Sequence, residues 1–599
     1  MRTSPCGGPE CPLPFVVLRR LLSALVVLAS SFLAGAAELR GLWVDAFNPG
    51  FKSAAEITQL VRDARAGGFN AVFVQVRRRG DAFYESSLEP RASELPVGFD
   101  PLAELLRQAH ETSAGQRRLE VHAWIVAFNI WNRENTLPPQ TNHPYRLHPD
   151  WLTQNNTGNR WDGANYAFDP GHPEVQDHTL AVVADLVSRY ELDGLHLDYI
   201  RYAGIEWGFN PISVARFQRI YGRTIRPAPG DFAWLQFRRD QVTGIVRRIY
   251  LTATELRPAL KVSAATITFA PGISETSAWT TSAAYTSVLQ DWRAWMEEGI
   301  LDLNVPMAYF RQSQWASAWT KWSQFAKDHR YGRHLALGAG VYLNPLESSL
   351  EQLRSTRLPT ARSEGAEGQV LYSYYAPTSD GMSRPAFLAA LTTGLAGDLQ
   401  PPLYGETAEP PSMPWKEFPE RGHFLGRALD FQGLPLDGLR IRMTGPKSRT
   451  LLVDANGWFG GVELDPGEYF LAATNAAIRY LGAVVVGPGQ VQRPVLWPAE
   501  ADTDLDGISN EWELIWETDP ADPESVPQVQ GHAAANGTLT LSWLPVSSRR
   551  SYRVEVLSEL DSEDWQALPV TIPSGMGELT GIPLEGSARY FRVQPRVQP

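Results

Sequence analysis

The sequence predicts an α/β architecture, a (β/α)8 TIM barrel followed by small β-sandwich modules. Three observations carry this. From Leu39 to about Leu395, apolar strand-like runs alternate with amphipathic helical patterns. Beyond a Pro-rich stretch, short alternating runs separated by turn residues take over. The chain has 599 residues, 43% hydrophobic and 20% charged, enough for one large core and several small ones.

Taken in order, the barrel strands are expected at 39–46, 71–77, 119–127, 192–198, 260–268, 300–310, 335–343 and 369–375. Helical patterns lie between most of them. The clearest is SAAEITQLVRDARAGGF, with Ser53 as N-cap and Gly67-Gly68 as the stop. A doubly wound open sheet is the alternative, but no G-x-G-x-x-G opens a helix, so a dinucleotide site is not supported.

The remaining segments follow. Residues 1–36 read as a secretory signal peptide: Arg19 and Arg20 precede the apolar run Leu21–Leu33, which ends at Ala34-Gly35-Ala36. The run is short for a membrane span. Removing Arg2, Arg19, Arg20 and Glu10 with the leader takes the net charge from −12 to −14, and Cys6 and Cys11 leave with it. The mature chain is therefore expected to be secreted, periplasmic or at the cell surface, acidic, cysteine-free and without a transmembrane helix. Acidity argues against nucleic acid as a partner. The barrel occupies 37–400 and a Pro-rich linker 401–420. A β-sandwich is expected over 421–498, with turns at Asp454-Ala455-Asn456-Gly457 and Asp465-Pro466-Gly467. A linker follows at 499–527, and a terminal β-sandwich at 528–599. Oligomeric state is not legible.

Within 499–527, DTDLDGISNEWE places Asp502, Asp504 and Asp506 at positions 1, 3 and 5, Gly507 at 6 and Glu513 at 12. Alternating carboxylates around one hard cation, with glycine at the sharp turn, predict a structural Ca2+ site. The barrel needs no cofactor on this reading.

Working groups of a barrel enzyme stand at the C-terminal ends of strands. In ELDGLHLDYIRY, alternation points Gly194, His196 and Asp198 inward and leaves Asp198 at the mouth, as nucleophile or acid/base, or as a carboxylate pinned by Arg201 or His196. Asp193, at the strand entrance, reads as structural. Gln75 and Arg77 share a phase and suit sugar hydroxyls or a carboxylate, and Arg77 could instead neutralise Asp198. Asp81, in RGDAFY, is the candidate partner carboxylate; Asp45, Glu275 and Asp302 are weaker candidates. The stretch of about 65 residues between strands three and four carries Trp131, Tyr145, Trp151, Trp161 and Tyr166, aromatic faces suited to sugar rings. Thirteen of the 20 tryptophans lie in the barrel, which favours sugar binding, although core packing could claim most of them. His143 and His148 lack a third zinc ligand, and no G-x-S-x-G supports a serine hydrolase.

LRGLWVDAF, VFVQVRRRGDAFYESSLEP, DPLAELLRQAH, LEVHAWIVAFN, HPDWL, FDPGHPEVQ and DGLHLDYIRY, in this order, resemble the glycosyl hydrolase-like family 10 of bacterial exported proteins. DLNVPMAYF, LALGAGVY and GQVLYSYY look like its later strands. The resemblance implies a barrel related to retaining glycosidases, acting on a polysaccharide or cell-envelope glycan. Asp198 would then be the fourth-strand carboxylate and nucleophile, with Gln75, Arg77, Asp81, His122 and Trp124 lining the mouth. His196, Arg201 and Tyr309 complete the candidate substrate-binding set. The family's HAWINPYR stands here as HAWIVAFN, so Val126, Ala127 and Asn129 depart from it. A non-catalytic glycan-binding barrel, or a surface adhesion or scaffold protein, is therefore the alternative. Segment 421–498 resembles a carboxypeptidase regulatory-like module, and 502–525 a thrombospondin type 3 repeat.

Overall fold

A computed structural model describes residues 36–273, 276–395, 400–475, 478–558, 564–584 and 590–596. Residues 1–35 of the signal-peptide segment and Glu275 lie outside them. Eight parallel strands close a barrel: β1 Leu39–Val44, β2 Ala71–Arg77, β3 Glu120–Val126, β4 Gly194–Asp198, β5 Lys261–Ile267, β6 Leu303–Ala308, β7 His334–Gly340 and β8 Gly368–Tyr372. Every boundary falls within three residues of its expected place, with β6, β7 and β8 the furthest off. Both faces of every strand are covered, which explains the near-continuous apolar runs.

Helix α1 (Ala54–Ala66) starts where the Ser53 side chain accepts the Glu56 N–H and ends at Gly67. Helix α2 (Pro101–His110) is capped by Asp100 and opens with proline. Helices α3 (Pro173–Arg189), α4 (Pro211–Tyr221) and α5 (Phe232–Leu256) lie in the connections from β3 to β5.

Register fixes depth inside the barrel. Between β3 and β4, His122 lies beside Gly194, Trp124 beside His196, and Val126 beside Asp198. Gly194 is required by close approach: a Cβ there would stand 2.0 Å from His122 Nδ1. Leu39, Trp43, Phe73, Trp124, Leu303, Val305, Ala336 and Val370 fill the interior. Most of the barrel tryptophans are packing residues. Trp279, Trp292 and Trp322 cluster around Phe325, and Trp43, Trp234, Trp292 and Trp295 are fully buried.

The stretch read as a linker, 401–420, does not behave as a free spacer. Leu403, Tyr404, Ala408 and Met413 are buried, Ala408–Glu409 pairs with Ala36–Ala37, and Met413 and Trp415 join the barrel's interior cluster. Proline punctuates this segment, but its apolar residues have a floor to cover.

Eight strands between Gly422 and Pro498 fold around a core of their own that includes Phe424, Phe459, Tyr469 and Leu471. This module is fastened to the barrel by Arg216, which forks onto Asp437 at 2.8 and 2.6 Å, and by Arg333–Glu463 at 2.8 Å. Residues 528–596 form two three-stranded sheets. Their core, Trp543, Tyr552 and Val554, also takes Trp516 from helix α6 (Asn510–Trp516). No helix among the described residues is long and apolar enough to cross a membrane.

Candidate functional site

Asp198 ends β4 and is 5% exposed. Its Oδ2 accepts the Trp124 indole N–H at 3.2 Å, and its Oδ1 accepts the Tyr199 N–H at 2.7 Å. Tyr199 turns the chain with φ of 49°, a left-handed conformation uncommon for a bulky residue, and that turn aims its N–H back at the carboxylate. Arg201 Nη1 stands 3.5 Å from Oδ1, with its guanidinium over the Tyr199 ring at 4.3 Å. Burial raises the Asp198 carboxyl above its ordinary 3.8; Arg201 and the two N–H donors offset only part of that.

Around Asp198 stands a ring of tyrosines. Tyr309 and Tyr372 stack with centroids 5.4 Å apart, Trp43 meets both edge-on at 6.1 and 6.2 Å, and Tyr342 packs at 5.6 Å from Tyr372. Burial pushes the Tyr309 and Tyr372 phenols well up. Asp198 adds to both shifts, and Asp45 adds to that of Tyr372. Asp45 and Asp198 therefore both bear on the Tyr372 hydroxyl. Of this ring only Tyr309 is a candidate from the sequence. Tyr372 and Trp43 carried a readable signal, their inward phase on β8 and β1, and Tyr199 directly follows Asp198.

The other candidates are placed as follows. Gln75 Oε1 accepts the Ala46 N–H at 3.0 Å and so holds the exit of β1. Arg77 is buried and forks onto Glu89 at 2.7 and 2.6 Å, with its third nitrogen on the Val126 and Ala127 carbonyls. Its partner is thus Glu89, a carboxylate that also meets His178 at 2.9 Å, and not Asp198. Burial works against the charged Glu89, but Arg77 and His178 outweigh it and hold its carboxyl far below the usual range.

His122 does not line the mouth. Its phase is inward, but register places it a full layer below Trp124, stacked on Phe73 at 4.2 Å and 3.2 Å from Glu120. His196 is also interior: Nε2 accepts from Trp43 at 3.1 Å and Nδ1 meets Ser263 Oγ at 2.9 Å, which leaves no nitrogen for a ligand. Burial drives its pKa far down, so the ring is neutral.

Asp81 meets Arg78 at 2.5 Å and accepts the Arg79 N–H at 3.0 Å, holding the loop after β2. Asp45 accepts from Phe47 N, Asn48 N and Asn48 Nδ2 at 2.9–3.0 Å. Asp302 is at the opposite end of the barrel, bonded to Val262 N and Trp415 Nε1, both at 2.8 Å. Asp193 anchors the β3 entrance through Val121 N, as expected. His143 bonds to the Arg79 carbonyl and His148 stacks on Trp151 at 3.7 Å, which is packing.

These features, a carboxylate at the mouth of a parallel barrel under a canopy of aromatic rings, set the terms for comparison. The profile of the family described as glycosyl hydrolase-like 10 matches residues 38–351. The chain belongs to this family. Glycosyl hydrolase YngK of Bacillus subtilis (strain 168) is 27% identical over 445 residues, covering 67% of this chain and 79% of YngK. Glycosyl hydrolase DigH of Escherichia coli (strain K12) is 29% identical over 287 residues, covering 43% of this chain and 58% of DigH. Among solved structures, the glycoside hydrolase domain of PgaB (BpsB) from Bordetella bronchiseptica aligns with a TM-score of 0.43 at 13% identity, over 59% of this chain and 98% of that domain. Family membership accounts for the order of motifs from Leu39 to the β7 region. The modules beyond residue 351 lie outside the matched range.

A second cluster lies in the C-terminal half. One carboxylate oxygen each from Asp502, Asp504 and Asp506 gathers within 4.8 Å, the one group of its kind among the described residues. Glu513, fully buried, has both oxygens without a hydrogen-bond partner, as do Asp502 Oδ1, Asp504 Oδ2 and Asp506 Oδ2. Burial and the three aspartates push the Glu513 carboxyl up to about 7. Gly507, with φ of 95°, makes the turn and donates its N–H to Asp502.

Proposed function

We propose that this chain is an exported glycoside hydrolase acting on a polysaccharide or cell-envelope glycan, with Asp198 as the nucleophile of a retaining mechanism. The observation that carries the reading is the placement of Asp198 at the end of β4, nearly buried yet at the mouth, oriented by Trp124 and Tyr199. A nucleophile on a sugar carbon must be fixed in direction, and two N–H donors from different strand ends fix it. Retention requires a second carboxyl group about 5–5.5 Å away to protonate the leaving oxygen. Asp81 is committed to Arg78 and Arg79 N, and Asp45 to Phe47 and Asn48, so both stand as candidates for the partner. Substitution of Asp45, Asp81 and Asp198 by Asn, one at a time, tests this with reducing-end release from a polysaccharide panel and from peptidoglycan strands. Loss with Asp198→Asn and with one of Asp45→Asn and Asp81→Asn supports the pair and identifies the acid; retained turnover in Asp198→Asn overturns it. Binding without any release of reducing ends from the unmodified protein would leave a glycan-binding barrel.

We also propose that Asp502, Asp504, Asp506 and Glu513 hold a structural Ca2+. Five buried carboxylate oxygens without partners are a costly arrangement unless a cation neutralises them. The ion would supply cohesion to the linker and no chemistry to the barrel.

A further inference from the structure

The excursion between β3 and β4 does more than cover the barrel. Its base is a small hairpin, Asn129–Trp131 against Tyr166–Ala167, and its far side is tied to the segment after β4 by the Asn155–Trp207 bridge and by Asn156 N on the Glu206 carbonyl at 3.0 Å. Within it lies a cleft of about 960 Å³. Tyr145, Tyr166 and Trp161 form a continuous aromatic wall, with centroids 5.1 and 5.0 Å apart in turn. Arg146, Arg160 and Glu134 stand around it, all exposed. Neither guanidinium is in an ion pair among the described residues; Arg146 spends one nitrogen on the Pro138 carbonyl at 3.0 Å. Planar donors and an acceptor around partly exposed rings match the amphipathic surface of a sugar, whose C–H face packs on the ring and whose hydroxyls point outward. The excursion also rises from the mouth: its hairpin begins at Asn129, three residues after Val126, which lies beside Asp198 in the barrel register.

We infer that this cleft is a distal sugar-binding subsite, in which Trp161 stacks a saccharide ring and Arg146 and Arg160 donate to its hydroxyls, several units along the chain from Asp198. The inference rests on the glycan-hydrolase reading of the mouth and makes the site chain-length selective. On this inference a short ligand held at Asp198 leaves the cleft empty and a longer one fills it.

The test uses calorimetric binding to the full chain carrying Asp198→Asn, so that turnover is not needed. The probes are ladders of two to six sugars, one of β-1,4-linked N-acetylglucosamine and one of oligogalacturonate. One ladder should tighten by about tenfold or more between two and six units. Trp161→Ala, and separately the exposed and fold-neutral Arg160→Ala, should erase that gain and leave two-unit binding unchanged. Length-independent affinity, a gain that survives both substitutions, or no saturable binding by either ladder overturns the subsite. Length-dependent binding in a protein that releases no reducing ends overturns only the hydrolase reading.

Discussion

Trp415 donates its indole N–H to Asp302 Oδ1 at 2.8 Å, across the floor of the barrel from the mouth. Asp302 is fully buried, and Lys416 Nζ at 3.3 Å and Arg333 Nη1 at 3.5 Å complete its surroundings. A segment that reads as a Pro-rich spacer thus supplies two of the groups that allow a charge to be buried at the entrance of β6.

It follows that the barrel is not separable at residue 400. A chain ending there exposes the underside of the core and leaves Asp302 without Trp415 and Lys416. In the full chain, Lys416→Met should cost about 3 kcal/mol, since removing one partner strands a buried charge. Asp302→Asn combined with Lys416→Met should recover most of it. Denaturant melts of the two variants decide this, and equal destabilisation by both would contradict the floor assignment. Burial raises the Asp302 carboxyl, but Lys416 and Arg333 outweigh it and hold it below 3.8. Its stabilising contribution is therefore present above pH 3.8 and lost as pH falls through the folded value.

Asp198 has the opposite sign. Its carboxyl is raised, so stability from the protonated form is fully present below 3.8 and lost as pH rises through the folded value. At neutral pH the ionised group costs stability. Asp198→Asn should abolish turnover, by about 10⁴-fold, while melting at or slightly above the parent temperature at pH 7. That combination distinguishes a working carboxylate from a structural one, whose removal would lower the melting temperature.

How much of this was legible follows from the physics of each feature. Strand phase alone put Asp198 inward at the mouth, because alternation is rigid over five residues and β4 ends at that position. Phase does not give depth. His122 shares the inward phase of Trp124, yet stacks on Phe73 a layer below, and only the pairing of β3 with β4 reveals it. Arg77 and Gln75 were placed on the correct strand, but Glu89, twelve residues on and outside any periodic element, claims the guanidinium. The aromatic ring of Tyr309, Tyr342 and Tyr372 assembles from three different strand ends, and no local pattern announces such a meeting. In the acidic loop, by contrast, the one-residue spacing of Asp502, Asp504 and Asp506 is enough to gather their carboxylates.

Trp124→Phe should separate orientation from charge. The substitution keeps the ring but removes the N–H that bonds Asp198 Oδ2. If Asp198 attacks as an ionised nucleophile, activity has an acidic limb set by its raised pKa. Loss of the donor moves that limb to higher pH, because the N–H favours the ionised form. The expected outcome is a kcat reduced by about tenfold at neutral pH, partly restored at higher pH, with KM little changed. A limb that does not move would remove Trp124 from the positioning role.

The cation site makes a prediction about the two C-terminal modules together. Helix α6 begins at the acidic loop. Asn510 Nδ2 holds the Pro498 carbonyl at 2.8 Å, and Arg479 pairs with Glu511 at 2.6 Å on the first module. Six residues on, Trp516 enters the core of the second. Buried Arg550 completes the junction with Glu468 at 2.5 and 2.6 Å. An ion bound by Asp502, Asp504, Asp506 and Glu513 therefore fixes the helix on which both modules depend. Calcium at about one hundred times its Kd should stabilise this unit by about 2.7 kcal/mol, seen as an upward shift of a melting transition that a chelator reverses. Glu513→Gln should abolish the shift, and the barrel's own transition should not respond. If calcium leaves every transition of the full chain unmoved, the loop is an acidic linker whose spacing matches a cation site by coincidence.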